Sequence, residues 1–483
     1  FSNNTVRKEP LSESMADTFI GGRGFVAKFL IDEIPPNIEP FDPDNMLIAA
    51  TGPLTGHFLP DSGKTHFGTK SPATGGYADS NMGGHFGPQM KYAGYDMLVI
   101  TGKAEHPSYL FIKNINGKAI LERLKITDKG CFGCPTPCGK YGHTKTSLGS
   151  AYVEGPEYET IALFGGNCVL KTIEEVAYAN YLCDELGIDT ISAGVVIGWV
   201  IECFQTGILT HDDIGRAIDF SDLDSVVYLL NKIARREGIG DLLAEGVKIA
   251  AEKTGNGSER FAIHVKGLEW SGYECRNAPS MMLAYMTADV GAHHNRAWVL
   301  GHDVAGAWTS VHDLIASGGG DEAQPKAVVS ERSAEYVIAS QHTRSIFDAL
   351  GNCRLQMMEL GFEEEHYAEL YSLITGRTKS WPDLLKISER IWQLTRAFSV
   401  REIKGFGRHL DFPPARLTEE PIADGPNQGH VLSKADIHNL LTWYYTARGW
   451  NENGIPTRET LISAGLPEVV EEFENRGLLK ADV

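Results

Sequence analysis

Three cysteines lie within eight residues, in the run Cys131-Phe-Gly-Cys134-Pro-Thr-Pro-Cys138. Two prolines stiffen the segment, so it reads as a preformed metal-binding loop with one tetrahedral position left to fill from elsewhere. Sulfur-only clustering suits zinc or an iron–sulfur cluster. Zinc would take a nearby fourth ligand, for which His143 is placed. A [4Fe–4S] cluster can take its fourth thiolate from far along the chain, and Cys353, in Asp348-Ala-Leu-Gly351-Asn-Cys353, is the candidate. Spacing leaves both metals open. The bland alternative is three buried cysteines that happen to be close.

The chain has 483 residues, 42% of them hydrophobic, enough for a large core spread over two or three domains. Its formal net charge is -19, with 63 acidic against 44 basic residues, which argues against nucleic-acid binding. Eight cysteines in a chain this long do not make a disulfide scaffold, and a reducing cytoplasm is the expected location. No run of about 18 apolar residues is present, so no membrane span is expected. The start, Phe1-Ser-Asn-Asn-Thr5, has neither an initiator Met nor a signal pattern, and an incomplete N-terminus is expected.

The organisation predicts an α+β protein: an N-terminal β-rich cofactor-binding lobe followed by two mainly helical domains, with boundaries at 1–125, 126–263 and 264–483. Residues 1 to about 120 are crowded with glycine and carry short β-type runs such as 46–50 and Met97–Thr101. Those glycines serve either the tight turns of a small barrel or sandwich, or close approach of backbone N–H groups to phosphate. Beyond about 150 the pattern turns helical. Thr172 and Glu175 form a capping box that opens Ile173–Leu186, and Gly187 stops it. Asp189 or Thr190 then caps 191–204. Further helices are predicted at 214–218, 224–236, 242–253, 334–349, 382–398 and Lys434–Ala447. Loops are predicted at Pro413-Pro414 and Gly425-Pro426.

One pattern occurs twice. Asp184-Glu-Leu-Gly187-Ile-Asp189 and Asp348-Ala-Leu-Gly351-Asn-Cys353 both place Asp-x-Leu-Gly at a helix end. Two similar elements suit two similar ligands, and a carboxylate can accept paired N–H donors from a guanine-like ring edge.

Taken in order, these motifs resemble the tungsten-containing aldehyde:ferredoxin oxidoreductase family through nearly the whole chain. The landmarks are Gly21-Gly-Arg-Gly-Phe25, Ala50-Thr-Gly-Pro-Leu-Thr-Gly56, Thr69-Lys-Ser-Pro-Ala-Thr-Gly-Gly76, Asp79-Ser-Asn-Met-Gly-Gly84, the cysteine loop, Glu154-Gly-Pro-Glu-Tyr-Glu-Thr160, both Asp-x-Leu-Gly elements and Arg448-Gly-Trp-Asn-Glu-Asn-Gly-Ile-Pro456. The resemblance implies tungsten held by the dithiolenes of two pterin cofactors, a nearby [4Fe–4S] cluster, and magnesium bridging the cofactor phosphates. By motif, Cys131, Cys134, Cys138 and Cys353 would be the cluster ligands. Lys64, Asn81 and Gly83 would face phosphate and magnesium. Asp184, Asp189 and Asp348 would hold the pterin rings, and Arg296 would be a cationic cofactor contact. Glu159 and His294 would be the acid/base pair beside the metal.

Within the family, the stretches 154–168 and 267–298 resemble the tungsten subunit of class II benzoyl-CoA reductases. Cys168 stands where the aldehyde enzymes carry an apolar residue, which implies a direct tungsten ligand. Tyr178 and Tyr181 replace the Glu and His that bind an interface iron in the aldehyde enzymes, and His293 precedes His294. Each reading has a plainer rival: Glu159 as a surface carboxylate, His294 as a hydrogen-bonded core histidine, Cys168 as a small buried hydrophobe. Cys183, Cys203, Cys275 and the run Trp443-Tyr-Tyr445 read as core. Between about Ile120 and Cys131 the family has a long segment, including half of the β lobe. Here only a short linker stands, and a chain joined across missing residues is expected.

The implied activity is two-electron reduction of the ring of benzoyl-CoA, or a related aromatic acyl-CoA, to a cyclic diene. Electrons would come from an iron–sulfur subunit or ferredoxin, in a hetero-oligomer. The rival readings are oxidation of aldehydes to carboxylic acids with ferredoxin, and a cluster-bearing electron-transfer or scaffold subunit without tungsten.

Overall fold

The computed structural model describes residues 5–57, 59, 62–102, 127–135, 139–300, 303, 328–355, 363–423 and 427–479. Cys138, the loop at Gly425-Pro426 and the junction expected between Ile120 and Cys131 lie outside or largely outside them.

Strands β1 (Met46–Thr51), β2 (Thr65–Lys70), β3 (Tyr77–Met82) and β4 (Met97–Thr101) form an antiparallel sheet in the order β3-β2-β1-β4. Its register pairs Thr51 with Thr65, Lys70 with Tyr77 and Met46 with Thr101. The helix Gly22–Glu33 lies on this sheet through Phe25, Val26 and Leu30. Gly68 on β2 makes the fit possible, because a Cβ there would sit 2.1 Å from Val26 Cγ1. A second sheet of β5 (Thr127–Lys129), β6 (Gly139–Thr146) and β7 (Gly149–Glu154) opens the part of the chain predicted as a helical domain.

The helices beyond it follow their sequence signals. Thr172 and Glu175 make the reciprocal capping box of Ile173–Leu186, and Gly187 ends it in the left-handed region at φ 68°. Asp189, rather than Thr190, caps Thr190–Gln205, with its carboxylate accepting from the Ser192 N–H at 2.8 Å. Leu223–Arg235, Arg332–Leu350, Trp381–Glu402 and Lys434–Ala447 stand where helices were predicted. Two predictions fail. The helix at His211–Ile214 stops at Gly215, φ 91°, so 214–218 is not helical. The stretch 242–253 is split between Ile239–Leu243 and Val247–Thr254 by Gly246 at φ 85°. No single described helix is long and apolar enough to cross a membrane.

Among the described residues, the β lobe shares its core with the helical body. Phe25, Val26, Leu30 and Ile48 pack in one apolar cluster with Ile346 and Leu350 of Arg332–Leu350 and with Ile391, Leu394 and Phe398 of Trp381–Glu402. Two further clusters fill the helical body, one around Phe164, Val196 and Leu229, the other around Met282, Tyr285 and Tyr444. Tyr444 and Tyr445 are buried, as predicted.

Glycines set how closely the lobe meets the end of Arg332–Leu350. A Cβ on Gly22 would lie 2.1 Å from the Asp348 carbonyl oxygen, and one on Gly52 would lie 2.0 Å from the Leu350 carbonyl carbon. Gly22 also holds φ +43°. Here the glycines admit protein backbone. Gly22→Ala is therefore expected to destabilise the protein by about 2–3 kcal/mol, the range for overpacking against backbone combined with a left-handed residue. A thermal melt unchanged within a degree would refute this contact as the reason for the glycine.

Candidate active site

The end of Arg332–Leu350 and strand β3 bring together a buried cluster of charges. Asp79 Oδ2 accepts from Tyr77 Oη at 2.7 Å, contacts His66 Nε2 at 2.5 Å and pairs with Arg23 Nε at 3.5 Å. Its other oxygen pairs with Arg296 Nη2, while Arg296 Nε reaches Asp289 Oδ1 at 3.0 Å and Arg23 donates to Asp289 Oδ2. Asp348 closes the set: Asn81 Nδ2 donates to Oδ1 at 2.8 Å, and Arg296 Nη1 lies 3.5 Å from Oδ2. Burial holds His66 down to about 3, so it is neutral. Burial opposes the charge of Asp348, yet Arg354, Arg296 and Arg23 hold its carboxyl down to about 2. Three carboxylates thus fix two buried arginines. Of these residues the sequence reading picked Asn81, Arg296 and Asp348. It missed Arg23, His66, Asp79 and Asp289, although Arg23 and Asp79 lie inside motifs it quoted.

The cysteine loop docks on the same lobe. Phe132 N–H donates to the Gly84 carbonyl at 3.4 Å, and the Phe132 ring stands edge-on to His85 and Tyr92 at 6.2 and 6.1 Å. A Cβ on Gly83 would meet Cys131 Sγ at 2.8 Å and Lys64 Nζ at 3.4 Å, so Lys64, Gly83 and Cys131 share one corner. Gly84, at φ +93°, opens onto space with no heavy atom within 4 Å of a notional Cβ. Asn81 Oδ1 is buried without a hydrogen-bond partner among the described residues. An acceptor, a cation and an open glycine turn side by side fit a phosphate-bearing cofactor with its cation. Cys131, Cys134 and Cys353 are all partly buried and form no disulfide. Among the described residues no three His, Cys, Asp or Glu side chains converge as a metal site.

The two Asp-x-Leu-Gly elements are alike in structure, each ending a helix at a left-handed glycine, Gly187 at φ 68° and Gly351 at φ 81°. Asp184 is exposed and accepts from Asn180 Nδ2 at 2.9 Å, and Asp189 is exposed and occupied as a helix cap. Asp348, by contrast, is buried.

A second constellation joins the helical parts. His294, in the short 3-10 turn His294–Arg296, places Nε2 2.8 Å from Glu159 Oε1. Asn295 Nδ2 also lies 2.8 Å from Nε2, and Ser271 Oγ, itself 2.6 Å from Tyr285 Oη, lies 3.2 Å from Nδ1. Tyr273 donates to Glu159 Oε1 at 3.3 Å. Burial resists the charge on Glu159, but His294 and Tyr273 hold its carboxyl below the ordinary value. Burial and the Glu159 charge push the Tyr273 phenol up, so it stays a donor. Aromatic faces enclose the pair: Tyr158 lies 4.9 Å from Tyr273, Tyr273 lies 5.6 Å from His294, and His293 lies 5.3 Å from His294. Both sequence-predicted acid/base residues therefore meet. Ser271 and Tyr273 were missed, although both lie in the stretch 267–298 quoted for the resemblance.

Cys168, expected as a tungsten ligand, lies in the helical core. It is fully buried in the apolar cluster with Leu163, Phe164, Leu170 and Val196, and its thiol donates to the Gly194 carbonyl at 3.4 Å. Burial and the neighbouring Cys183 push it up to about 12. A thiol so enclosed packs against its apolar neighbours as a small hydrophobe does. Cys168→Ala is expected to leave metal content unchanged and to cost about 1 kcal/mol or somewhat more of stability. Tungsten lost from that variant would restore the ligand reading.

Sequence models of the family decide the lineage. The aldehyde ferredoxin oxidoreductase N-terminal domain matches residues 1–132, and domains 2 and 3 of the same family match 98–466. The chain belongs to the aldehyde ferredoxin oxidoreductase family. It is 28% identical to the tungsten-containing aldehyde ferredoxin oxidoreductase of Pyrococcus abyssi over 620 aligned positions, covering 97% of this chain and 98% of that protein. It is 24% identical to the WOR-like subunit of the aliphatic sulfonate oxidoreductase of Pyrococcus furiosus, covering 97% and 96%. An alignment of 620 positions against 483 residues means that the aldehyde enzyme carries internal segments this chain lacks, in line with the length departure. The fold matches a chain of the active site complex BamBC of benzoyl coenzyme A reductase bound to 1,5-dienoyl-CoA. The TM-score is 0.80 at 21% identity, over 100% of this chain and 98% of that one. The α+β architecture is that of the aldehyde ferredoxin oxidoreductase fold.

Proposed function

We propose that this member of the family binds tungsten through two pterin cofactors and reduces the aromatic ring of benzoyl-CoA, or a related aryl-CoA thioester, to a cyclic diene. One observation carries the reading: the Glu159–His294 pair stands among the rings of Tyr158, Tyr273 and His293, a wall suited to a planar aromatic group beside a proton carrier. Reduction adds two electrons and two protons to the ring and leaves the thioester intact. When bound, the tungsten cofactor supplies the low-potential electrons. Lys64, Asn81 and Gly83 would hold the cofactor's phosphates and magnesium, with Arg296 and Asp348, and Asp184 and Asp189 at the other repeat, holding its pterins. Cys131, Cys134, Cys138 and Cys353 would bind a [4Fe–4S] cluster that accepts electrons from an iron–sulfur partner in the cytoplasm.

His294 gives its proton to the ring as charge arrives, and Glu159 holds the imidazole in place and stabilises its cationic form. Ser271 fixes the ring from the Nδ1 side. Tyr158 and Tyr273 keep water from the reacting carbon.

Oxidation of an aldehyde, with Glu159 as the base, is the second reading. It is favoured by the core placement of Cys168 and by the names of the full-length relatives. Assays at known tungsten content decide. Oxidation of 1,5-dienoyl-CoA to benzoyl-CoA with an artificial acceptor supports the proposal. Activity on benzaldehyde alone replaces it with the second reading, and protein isolated with iron but no tungsten replaces both with an electron-transfer role.

A further inference from the structure

His293 has no part in the proton transfer just described, yet its setting is built. Its Nδ1 accepts the Asn295 N–H at 3.1 Å, capping the turn His294–Arg296. That turn is pinned from the other side, where the Asn295 carbonyl accepts from Arg354 Nη1 at 2.6 Å and Arg344 Nη1 at 3.3 Å. An imidazole whose Nδ1 accepts a backbone N–H carries its own proton on Nε2. Among the described residues no hydrogen-bond partner is found for that Nε2, and the side chain is half-buried between the buried Ala292 and His294. The ring centroid is 5.3 Å from that of His294, so His293 stands beside the Glu159–His294 pair.

We propose that His293 is a neutral hydrogen-bond donor that directs Nε2–H at the carbonyl oxygen of the substrate while the neighbouring His294 handles the proton. The inference rests on the active-site reading above, and it needs only a carbonyl compound, whether thioester or aldehyde. Electrons entering a ring conjugated to a carbonyl, or a nucleophile adding to an aldehyde, both load negative charge onto that oxygen. A donor held in advance by the fold stabilises this charge without reorganisation. Neutrality also has a cause here. Burial, then His294 and Arg354, oppose a charge on His293 and hold it down to about 3, with Asp348 working the other way and Arg23 adding to the first set. A neutral imidazole can polarise a carbonyl without giving up its proton. The two adjacent histidines thus divide the work, one kept neutral chiefly by burial, the other paired with a carboxylate.

The test uses the tungsten-loaded enzyme and two substitutions. His293→Asn keeps an acceptor for the Asn295 N–H and removes the Nε2 donor. His293→Gln returns an amide N–H near the Nε2 position. Turnover at matched tungsten is expected to fall by ~10²–10³-fold in His293→Asn, the loss typical of a missing oxyanion donor, and to recover at least in part in His293→Gln. The infrared band of benzoyl-CoA labelled with 13C at the carbonyl, bound without reductant, should be lowered by the native enzyme and should return toward its solution frequency in His293→Asn. The pH–rate profile should keep its apparent pKa values in both variants. An unmoved band in His293→Asn, or loss of one limb of the pH profile, overturns the inference. If benzoyl-CoA shows no perturbed band in the native enzyme, the thioester reading fails on its own, and 13C-carbonyl benzaldehyde takes its place in the same comparison. No perturbed band with either compound overturns the role of His293.

Discussion

Serine at Cys353 is expected to strip the iron from this protein and to end electron delivery. Cys353 follows the left-handed cap Gly351, φ 81°, which turns the chain at the end of Arg332–Leu350. It therefore leaves the helix five residues after Asp348, whose carboxylate lies in the buried charge cluster with Asn81 and Arg296. On the facing lobe, Cys131 stands against Gly83 and Lys64. A hydroxyl is a poor iron ligand where a thiolate is a good one. The native protein should hold about four irons per chain. Cys353→Ser and Cys131→Ser should each lose most of that iron, with turnover driven by a low-potential donor falling by more than about 100-fold, beyond the 10–100-fold cost of losing an outer-shell contact. Cys203→Ser is the control, because Cys203 is buried in the helical core and should keep the iron. Zinc in place of iron in the native protein, or full iron in Cys353→Ser, would end the cluster assignment.

The helices were legible because their ends are written locally. Thr172 with Glu175, Asp189 and the glycines after Leu186 and Leu350 act within four residues of the helix they bound. Gly215 and Gly246 were read through because each sits in an otherwise helical composition, and only their left-handed φ stops the chain. Glu159 and His294 were legible as family positions, and the fold brings them to 2.8 Å. The charge cluster was not. Asn81 and Asp348 stand 267 residues apart and Arg23 and Asp289 stand 266 apart, so no local pattern links them. The role of Cys168 was read from a motif, while its burial follows from the apolar neighbours Leu163, Phe164 and Leu170.

Replacing His294 by alanine tests the chemistry most directly. Its imidazole lies 2.8 Å from Glu159 and 3.2 Å from Ser271, and it is not placed as a ligand to metal, cluster or pterin. Tungsten and iron content should therefore match the native protein. Turnover of the aryl-CoA thioester should fall by ~10²–10⁴-fold, the usual contribution of a positioned acid. Glu159→Gln separates the two members of the pair. Glu159 is held below its ordinary value by His294 and Tyr273 against the cost of burial, so it is an anion through the neutral range and has no proton of its own to give. Its glutamine variant keeps a hydrogen bond to the ring but loses the charge that stabilises the imidazolium, and a smaller loss than that of His294→Ala is expected. Equal losses in both variants would move the donor role to Glu159. Near-native turnover of His294→Ala at matched tungsten would remove His294 from the mechanism and leave the proton to come from water or from a residue beyond this pair.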